Sequence, residues 1–229
     1  SRKFSLLKEA CLLTLKEHKN VVKMRGYCAD SVCKYLVLEY VPKSLRKHLE
    51  EHRMQFGEAM KAAIDVAKAL CHLHEENNQG EKIIHRDIKP RNILRTNTGE
   101  YKLADFGESA LFQKTAKGTG IGSPSYMAPE ILTNGPYNAK VDVYSYGIMM
   151  FELFSGERPY QRERNEGIVT AALCDMIIKK QLRPRWPFTT QNEKYDPIRE
   201  LAEACWNSYP GLRPPMHKVL ERLENIKIA

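Results

Sequence analysis

Two short polar motifs, which follow one another in the middle of the chain, most constrain what this sequence can fold into. The first is HRDIKPRN at 85–92, and the second is DFG at 105–107. The pattern H-R-D-x-x-x-x-N has four fixed positions, so it recurs by chance at roughly 1 in 10^5 starting points. Strand-like runs at 93–95 and 101–104 flank an Asn-Thr-Gly turn, which predicts a hairpin between the motifs. The fold must therefore hold two polar loops at the ends of one hairpin.

The side chains of these motifs are suited to phosphoryl transfer. That reaction needs a carboxylate to orient the attacking hydroxyl, together with a cation and a metal ligand to offset charge on the transferred group. Asp87, Lys89 and Asn92 supply these three groups within one tight loop. Asp105 adds a carboxylate that could hold Mg²⁺ opposite Asn92, because hard cations prefer oxygen ligands.

The spacing of apolar residues predicts an α+β chain whose later part is mainly helical. Val- and Leu-rich runs at 20–26 and 35–40 predict two strands joined by a turn. Segment 107–129 has no periodicity and is predicted to be a long functional loop. The run at 141–154 is nearly all apolar, so we expect a helix at the centre of the fold. Further helices are predicted at 4–15, from a Ser44 cap to about 53, and at 55–76, 167–180, 198–206 and 214–226.

Composition argues against several classes of protein. The net charge is +8, but Lys and Arg are scattered among Asp and Glu, which argues against nucleic-acid binding. No apolar run approaches the ~20 residues of a membrane-spanning helix, so we expect no membrane segment in these residues. The six cysteines include no CxxC pair, which favours reduced thiols and a cytoplasmic location, either alone or as the cytoplasmic portion of a larger protein.

Together with APE at 128–130, the two motifs resemble the signature set of the eukaryotic protein kinase family. The resemblance extends from the helix at residue 4 to the helix ending near 226. It implies a bilobal, kinase-like α+β fold with a mainly helical large lobe. Residues 1–41 would be a partial N-lobe with one helix, two strands and the hinge, and residues 42–229 would be the C-lobe. It also implies an enzyme that uses ATP and Mg²⁺ to phosphorylate protein hydroxyls in signalling.

The resemblance assigns catalytic or metal-binding roles to four residues of the motifs. Asp87 would be the catalytic base, Lys89 would steady the transferred phosphate, and Asn92 and Asp105 would bind magnesium. Glu9, in EACLLTLKEHKNVV, resembles the glutamate of the kinase αC helix. That residue pairs with a strand lysine that contacts the ATP phosphates.

A second set of roles concerns the adenine and the support of the site. YLVLEYV at 35–41 resembles the hinge, where backbone groups of Glu39 and Val41 would bind adenine and Leu38 would be the gatekeeper. Leu94 would pack beneath the adenine ring. Four residues would form the spine that joins the lobes, namely Leu13, Met24, His85 and Phe106. Three more would have structural roles, with Glu130 paired to Arg213 and Asp142 bracing the catalytic loop.

The acceptor class follows from the sequence around the motifs. Lys89-Pro90 and GSPSYMAPE at 122–130 resemble serine/threonine kinases, and Ser123 would link the second segment to the catalytic loop. ACWNSYPGLRPP at 204–215 resembles the ending of tyrosine kinases and of the tyrosine-kinase-like branch. Together they indicate the tyrosine-kinase-like group, acting on protein Ser or Thr. We also expect an upstream kinase to phosphorylate Thr115 or Thr119 and thereby engage Arg86.

The sequence departs from the family pattern at its beginning. The Gly-rich loop and the strand lysine of a kinase precede its αC helix, and neither is present in the eight residues before Glu9. One interpretation is that both lie upstream in an active serine/threonine kinase. The alternative is a truncated, inactive kinase-like scaffold or docking module.

Overall fold

The computed structural model describes residues 9–14, 16–29, 34–77, 80–112, 116–117, 123–187 and 194–226. Its strands are β1 (Met24–Ala29), β2 (Lys34–Leu38), β3 (Lys43–Ser44), β4 (Lys82–Ile84), β5 (Ile93–Arg95), β6 (Tyr101–Leu103), β7 (Ala110–Phe112), β8 (Ala116–Lys117) and β9 (Pro136–Tyr137). They pair as small antiparallel sheets, β1–β2, β3–β5–β6, β4–β7 and β8–β9.

Helices make up most of the remaining structure, so the chain has the predicted α+β architecture. Residues 9–14 form α1. The later helices are α2 (Leu45–Glu51), α3 (Phe56–His74), α4 (Pro129–Leu132), α5 (Lys140–Ser155), α6 (Gln161–Asn165), α7 (Thr170–Lys179), α8 (Asp196–Cys205) and α9 (Met216–Glu224). Over the described ranges, none of these helices combines the length and the apolar character needed to cross a bilayer.

The first predicted strand, at 20–26, was placed too early. The ladder of β1 starts at Met24, with a bulge between Met24 and Gly26. The preceding residues bond elsewhere, because Val21 forms a parallel bridge with Leu103 and Val22 N–H donates to the Leu103 carbonyl at 2.9 Å. This bridge attaches the N-terminal segment to the hairpin β5–β6, which forms as predicted, with Gly99 at φ 81° in its turn.

The prediction of a long irregular loop at 107–129 was partly wrong. Ala110–Phe112 forms β7 and pairs with β4, while Ala116–Lys117 forms β8 and pairs with β9. Strands of two or three residues are too short to show a period in sequence. The pairing of β7 with β4 places the residues after DFG beside the residues before HRD.

The centre of the molecule is α5, as its apolar sequence predicts. Every residue of this helix from Val141 to Ser155 is buried. Helix α8 lies so close that a Cβ at Gly147 would come within 2.8 Å of Cys205 Cβ and 2.9 Å of the Ala202 carbonyl oxygen. Glycine is therefore required at this crossing of α5 and α8.

The two helices before the first motif also follow the sequence. Ser44 caps α2, and its Oγ accepts a hydrogen bond from Lys47 N–H at 3.2 Å. Helix α3 buries one face against the core, including Ala67, Leu70 and Leu73. Its C-terminal turn, at His74, lies beneath the first motif.

Candidate active site

The first motif forms a tight loop that is held from below by one buried carboxylate. Asp142, in the first turn of α5, accepts hydrogen bonds from His85 N–H at 2.9 Å and from Arg86 N–H at 2.8 Å. Its Oδ2 also lies 2.8 Å from His74 Nε2. Arg86 has a φ of 68°, which costs a non-glycine residue about 1–3 kcal/mol and persists only where the surroundings impose it. The contacts form the predicted brace and fix the backbone just before Asp87.

The negative charge of the Asp142 carboxylate is stabilised inside the protein. Burial by itself raises the pKa of Asp142, because a carboxylate loses its hydration in the interior. The hydrogen bond and charge of His74, followed by the charge and N–H of His85, outweigh burial, so the pKa lies below its ordinary value. Burial lowers the pKa of His85, although the Asp142 charge opposes this shift. Asp142 is therefore ionised at neutral pH.

The three side chains predicted to carry the chemistry meet at Asp87. Lys89 Nζ lies 2.6 Å from Asp87 Oδ2, and Asn92 Nδ2 donates to the same oxygen at 2.8 Å. Lys89 Nζ also donates to Ser123 Oγ at 3.1 Å, which is the predicted link to the segment before APE. Asp87 Oδ1 has no hydrogen bond to any residue that the structure describes. One oxygen is thus fixed in place, and the other can accept a proton.

The second motif reaches the first through two aromatic rings. His85 and Phe106 are buried and pack edge to face, with 5.0 Å between ring centroids. Phe106 N–H donates to Glu9 Oε1 at 3.3 Å, so the glutamate of α1 contacts the motif directly. Burial raises the pKa of Glu9, and the Asp105 charge adds to this effect, while the bond from Phe106 opposes it. Glu9 therefore lies beside the DFG motif, where a cation would stabilise its charge.

The donors at Asn92 and Asp105 fit a hard cation. Both side-chain hydrogen bonds of Asn92 use its Nδ2, one to the Asp87 carbonyl at 2.9 Å and one to Asp87 Oδ2 at 2.8 Å. Within the described ranges, neither Asn92 Oδ1 nor the exposed Asp105 carboxylate has a hydrogen-bond partner. The described residues contain no cluster of three or more His, Cys, Asp or Glu suited to a metal. Two protein oxygens suit Mg²⁺, which is usually bound by one or two protein ligands plus substrate phosphates.

The segment at 39–41 presents backbone groups that are unbonded within the described structure. Glu39 N–H donates to the Lys23 carbonyl at 2.8 Å, and its carboxylate accepts Lys23 N–H at 2.8 Å and lies 2.7 Å from Lys102 Nζ. Among the described residues, the Glu39 carbonyl and Val41 N–H have no partner. Leu94, in β5, is partly buried. The predicted adenine contacts are thus available, whereas the contribution of Lys102 was not predicted.

The predicted ion pair between Glu130, in APE, and Arg213 forms in the interior. Arg213 NH1 lies 2.5 Å from Glu130 Oε1, and NH2 lies 2.9 Å from Oε2. Arg213 also donates to the carbonyls of Lys140 and Asn207, and its guanidinium lies 5.0 Å from the centroid of the Tyr144 ring. These contacts satisfy the buried guanidinium of Arg213. The pair therefore links α4 to the start of α5 and to the turn that precedes α9.

Sequence reasoning missed a second polar network, beneath Ser123. Arg46 forms two bonds to Glu152, at 2.6 and 3.0 Å, and donates to Tyr126 Oη at 2.9 Å. Tyr126 O–H donates to Glu152 Oε2 at 2.5 Å, and burial raises the pKa of this phenol. Arg46 and Glu152 are 106 positions apart, so no local pattern predicts their contact. The network joins α2, α5 and the segment that carries Ser123.

Comparison with known proteins agrees with this geometry. The family model described as "Protein kinase domain" matches residues 1–223. The chain is 33% identical to "Serine/threonine-protein kinase STY17" of Arabidopsis thaliana, over 98% of this chain and 37% of that protein. It is also 33% identical to "Serine/threonine-protein kinase 12" of the same plant, over 95% of this chain and 47% of that protein. "RGS domain-containing serine/threonine-protein kinase A" of Dictyostelium discoideum is 32% identical, over 96% of this chain and 18% of that protein.

These matches define the class of the protein. The chain belongs to the protein kinase family and has the fold of a protein kinase domain. Its similarity to STY17 and to "Serine/threonine-protein kinase STY46" agrees with the predicted serine/threonine type of the tyrosine-kinase-like group. The chain spans less than half the length of each of these relatives.

Proposed function

We propose that this chain is the catalytic domain of a serine/threonine protein kinase, which transfers the γ-phosphate of ATP to a Ser or Thr hydroxyl of a protein. The arrangement at Asp87 carries this proposal. One carboxylate oxygen is held by Lys89 and Asn92, while the other has no partner in the described structure. A fixed carboxylate with an open oxygen is suited to orient an attacking hydroxyl and receive its proton.

The other predicted site residues support the same reaction. Lys89 bridges Asp87 and Ser123, so its charge lies where a phosphoryl group would pass from ATP to the acceptor. Asn92 Oδ1 and the Asp105 carboxylate would hold Mg²⁺, which supplies positive charge to the ATP phosphates. The Glu39 carbonyl and Val41 N–H would bind the adenine edge, and Leu94 would pack against its face. Protein kinases as a family use ATP and Mg²⁺.

The test is an Asp87→Asn substitution in the longer protein that contains this chain. We expect phosphate transfer from ATP to a serine peptide to fall by about 10^3-fold or more, because general base catalysis contributes about 10^2–10^4-fold and the amide also changes the charge at the acceptor. Asp175→Asn is a matched control, since Asp175 lies in an exposed pair with Lys179 on α7. Unchanged transfer by the Asp87→Asn protein would refute the proposal.

The same experiment separates this function from an inactive scaffold. A scaffold would transfer no phosphate even with Asp87 intact, in a protein that includes the residues upstream of α1. One observation favours the scaffold. Glu9 accepts a hydrogen bond from Phe106 N–H but has no lysine partner among the described residues. Measurable transfer by the wild-type protein, lost in the Asp87→Asn variant, would exclude it.

Three further proposals concern the context of the domain. We propose the lobe boundary at residues 41 and 42, a cytoplasmic location, and activation by an upstream kinase. Thr115 and Thr119 lie outside the described residues, while Arg86 donates to the Glu108 carbonyl and, at 3.0 Å, to Tyr137 Oη. Both partners are neutral, so the guanidinium keeps a charge that a phosphate can use. Unchanged activity after Ala substitution at both threonines would argue against activation there.

A further inference from the structure

A cleft of about 420 Å³ opens beside Ser123, whose Oγ accepts a hydrogen bond from Lys89. Its volume lies within the ~300–1,000 Å³ of ligand-binding clefts. The walls come from α2, the first motif, the segment at 123–126 and α6. Among the described residues, its lining includes four cations and a single anion, namely Arg46, Arg91, Arg158, Arg164 and Glu50.

Two of the four arginines are neutralised by carboxylates. Arg46 is paired with Glu152 through two bonds. Arg158 NH2 lies 2.6 Å from Glu50 Oε1, in a pair with both side chains about half exposed. These two cations therefore add little net charge to the cleft.

The other two arginines have no carboxylate partner in the part of the chain that the structure describes. Arg91, inside the first motif, is exposed and makes no side-chain hydrogen bond to a described residue. Arg164, on α6, is exposed and uses NH2 to donate to Ser125 Oγ at 2.7 Å. A guanidinium has five N–H donors, so both side chains have donors left for a ligand.

The position of the cleft connects it to the reaction. Ser123 lines the cleft and accepts a hydrogen bond from Lys89 Nζ, which lies 2.6 Å from Asp87. Arg91 is adjacent to Asn92, which donates to Asp87. A peptide whose hydroxyl lies at Asp87 would therefore run past the two unpaired arginines.

We propose that this cleft binds an anionic side chain of the protein substrate, close to the residue that is phosphorylated. Arg91 and Arg164 would hold the group through charge-assisted bonds, because the planar guanidinium matches the oxygens of a carboxylate or a phosphate. The substrate class is thus a peptide with an Asp, a Glu or a previously phosphorylated serine near the acceptor. This inference rests on the proposed kinase function and names the substrate of the same site.

The test compares peptides in the full-length protein. Each peptide has one serine acceptor in an alanine background, with Ala, Glu, Lys or phosphoserine placed at each flanking position in turn. At one or more positions we expect kcat/KM to rise about tenfold with Glu over Ala, which is the order expected for a hydrogen bond to a charged group. A larger rise with phosphoserine than with Glu would identify phosphate as the preferred anion, and the reverse would identify carboxylate.

Variants assign the effect to the cleft. Arg91→Glu should reverse the preference, so that the Lys peptide becomes better than the Glu peptide at the same position. Arg91→Ala with Arg164→Ala should reduce the Glu-to-Ala ratio to about one. Arg162→Ala is the matched control, because Arg162 is exposed on the same helix as Arg164 but does not line the cleft. It should keep the full ratio.

Two results would overturn the inference while leaving the kinase function intact. One is equal kcat/KM for Glu, Ala and Lys peptides at every position, and the other is a Glu preference that survives in the double alanine variant. If the protein phosphorylates no peptide, peptide affinity measured by fluorescence anisotropy decides the matter. Tighter binding of the Glu peptide than of the Ala peptide, lost in the double variant, would support anion binding in the cleft, and only the catalytic proposal would fail. Equal affinities for the two peptides would refute anion binding in the cleft.

Discussion

Two carboxylates in different regions of the molecule make similar contacts in different surroundings. Asp142 lies beneath the catalytic loop, and Glu39 lies at the proposed hinge. Each accepts at least one backbone N–H and contacts one basic side chain, His74 for Asp142 and Lys102 for Glu39. The Asp142 side chain is fully buried, whereas Glu39 remains 17% exposed beside Tyr40, which is 88% exposed.

The difference shows where the fold is rigid and where it stays accessible. Under the catalytic loop, buried bonds fix the backbone that carries Asp87 before any substrate arrives, which is what preorganised catalysis requires. At the hinge, a side-chain pair fixes the segment while the Glu39 carbonyl and Val41 N–H remain available. On the proposed roles, catalytic geometry would depend on the buried contacts beneath Asp87, whereas nucleotide binding would depend on a surface segment that is stabilised only in part.

The largest expected effect on activity comes from comparing Lys89, which contacts Asp87, with Lys102, which contacts Glu39. Lys89→Met should lower kcat by about 10^2–10^3-fold, because the cation that bridges Asp87 and Ser123 is lost from the reacting centre. Lys102→Met removes a cation from the hinge and should raise KM for ATP by only about threefold, in line with the small energy of a partly exposed pair. Steady-state kinetics in the longer protein provide both values. If Lys102→Met reduced kcat as strongly as Lys89→Met, the proposed division would be wrong.

A smaller effect compares the carboxylates themselves. Asp142→Asn should lower the free energy of unfolding by about 3 kcal/mol, because the amide cannot satisfy two backbone donors and His74 together in the interior. Glu39→Gln should cost less than about 1 kcal/mol. Urea unfolding at pH 7 measures both. Similar losses would show that burial does not distinguish the two sites.

Acid titration sharpens the same comparison. The folded pKa of Asp142 is depressed although burial opposes the shift. Its contribution to stability is therefore present above the unfolded pKa of about 3.9, and it is lost as pH falls through the folded value. The Asp142→Asn protein should lose less stability than the wild type over this acidic range. A parallel decline in both proteins would assign the acid sensitivity to other groups.

The sequence predicted features that depend on neighbouring residues more accurately than features that depend on contacts between distant residues. The Ser44 cap, the turn at Gly99 and the apolar helix α5 are set by neighbouring residues, and each forms as predicted. The three-residue strands β4 and β7 were missed, because such strands show no period and depend on pairing between distant segments.

The candidate site shows the same limit. The motifs identified Asp87, Lys89 and Asn92 as neighbours, and the structure places them in contact. The motif gave no sign that His74 bonds to Asp142, since the two are 68 positions apart. The cation-rich cleft was also missed. Its arginines come from separate segments, and the sequence showed only that positive charge was scattered along the chain.

The smallest expected effect lies where the segment after α1 meets the C-terminal end of α3. The rings of His18 and His72 stack with 5.0 Å between centroids, and Lys16 Nζ donates to the Glu75 carbonyl at 2.9 Å. Burial lowers the pKa of both histidines. For His18, the charges of His72 and Lys19 lower the pKa further, while Glu75 and Asp65 oppose the shift. For His72, the Lys16 charge lowers the pKa further, while the Glu75 charge and a backbone hydrogen bond with Glu17 oppose it. The contact therefore favours neutral rings.

Protonation should loosen this contact as pH falls. The folded pKa values are depressed, so the unfolded chain takes up protons first, and stability is lost as pH drops from about 6.5 toward the folded values. His72→Phe keeps the stacked ring but removes one titrating group, so melting temperature should fall less between pH 7.5 and 5.5 than in the wild type. Because both rings are partly exposed, the two proteins should differ by less than about 1 kcal/mol in the free energy of unfolding that they lose over this pH range. His217→Phe, at an exposed position on α9, should keep the wild-type slope; an unchanged slope in His72→Phe would show that protons do not act at this junction.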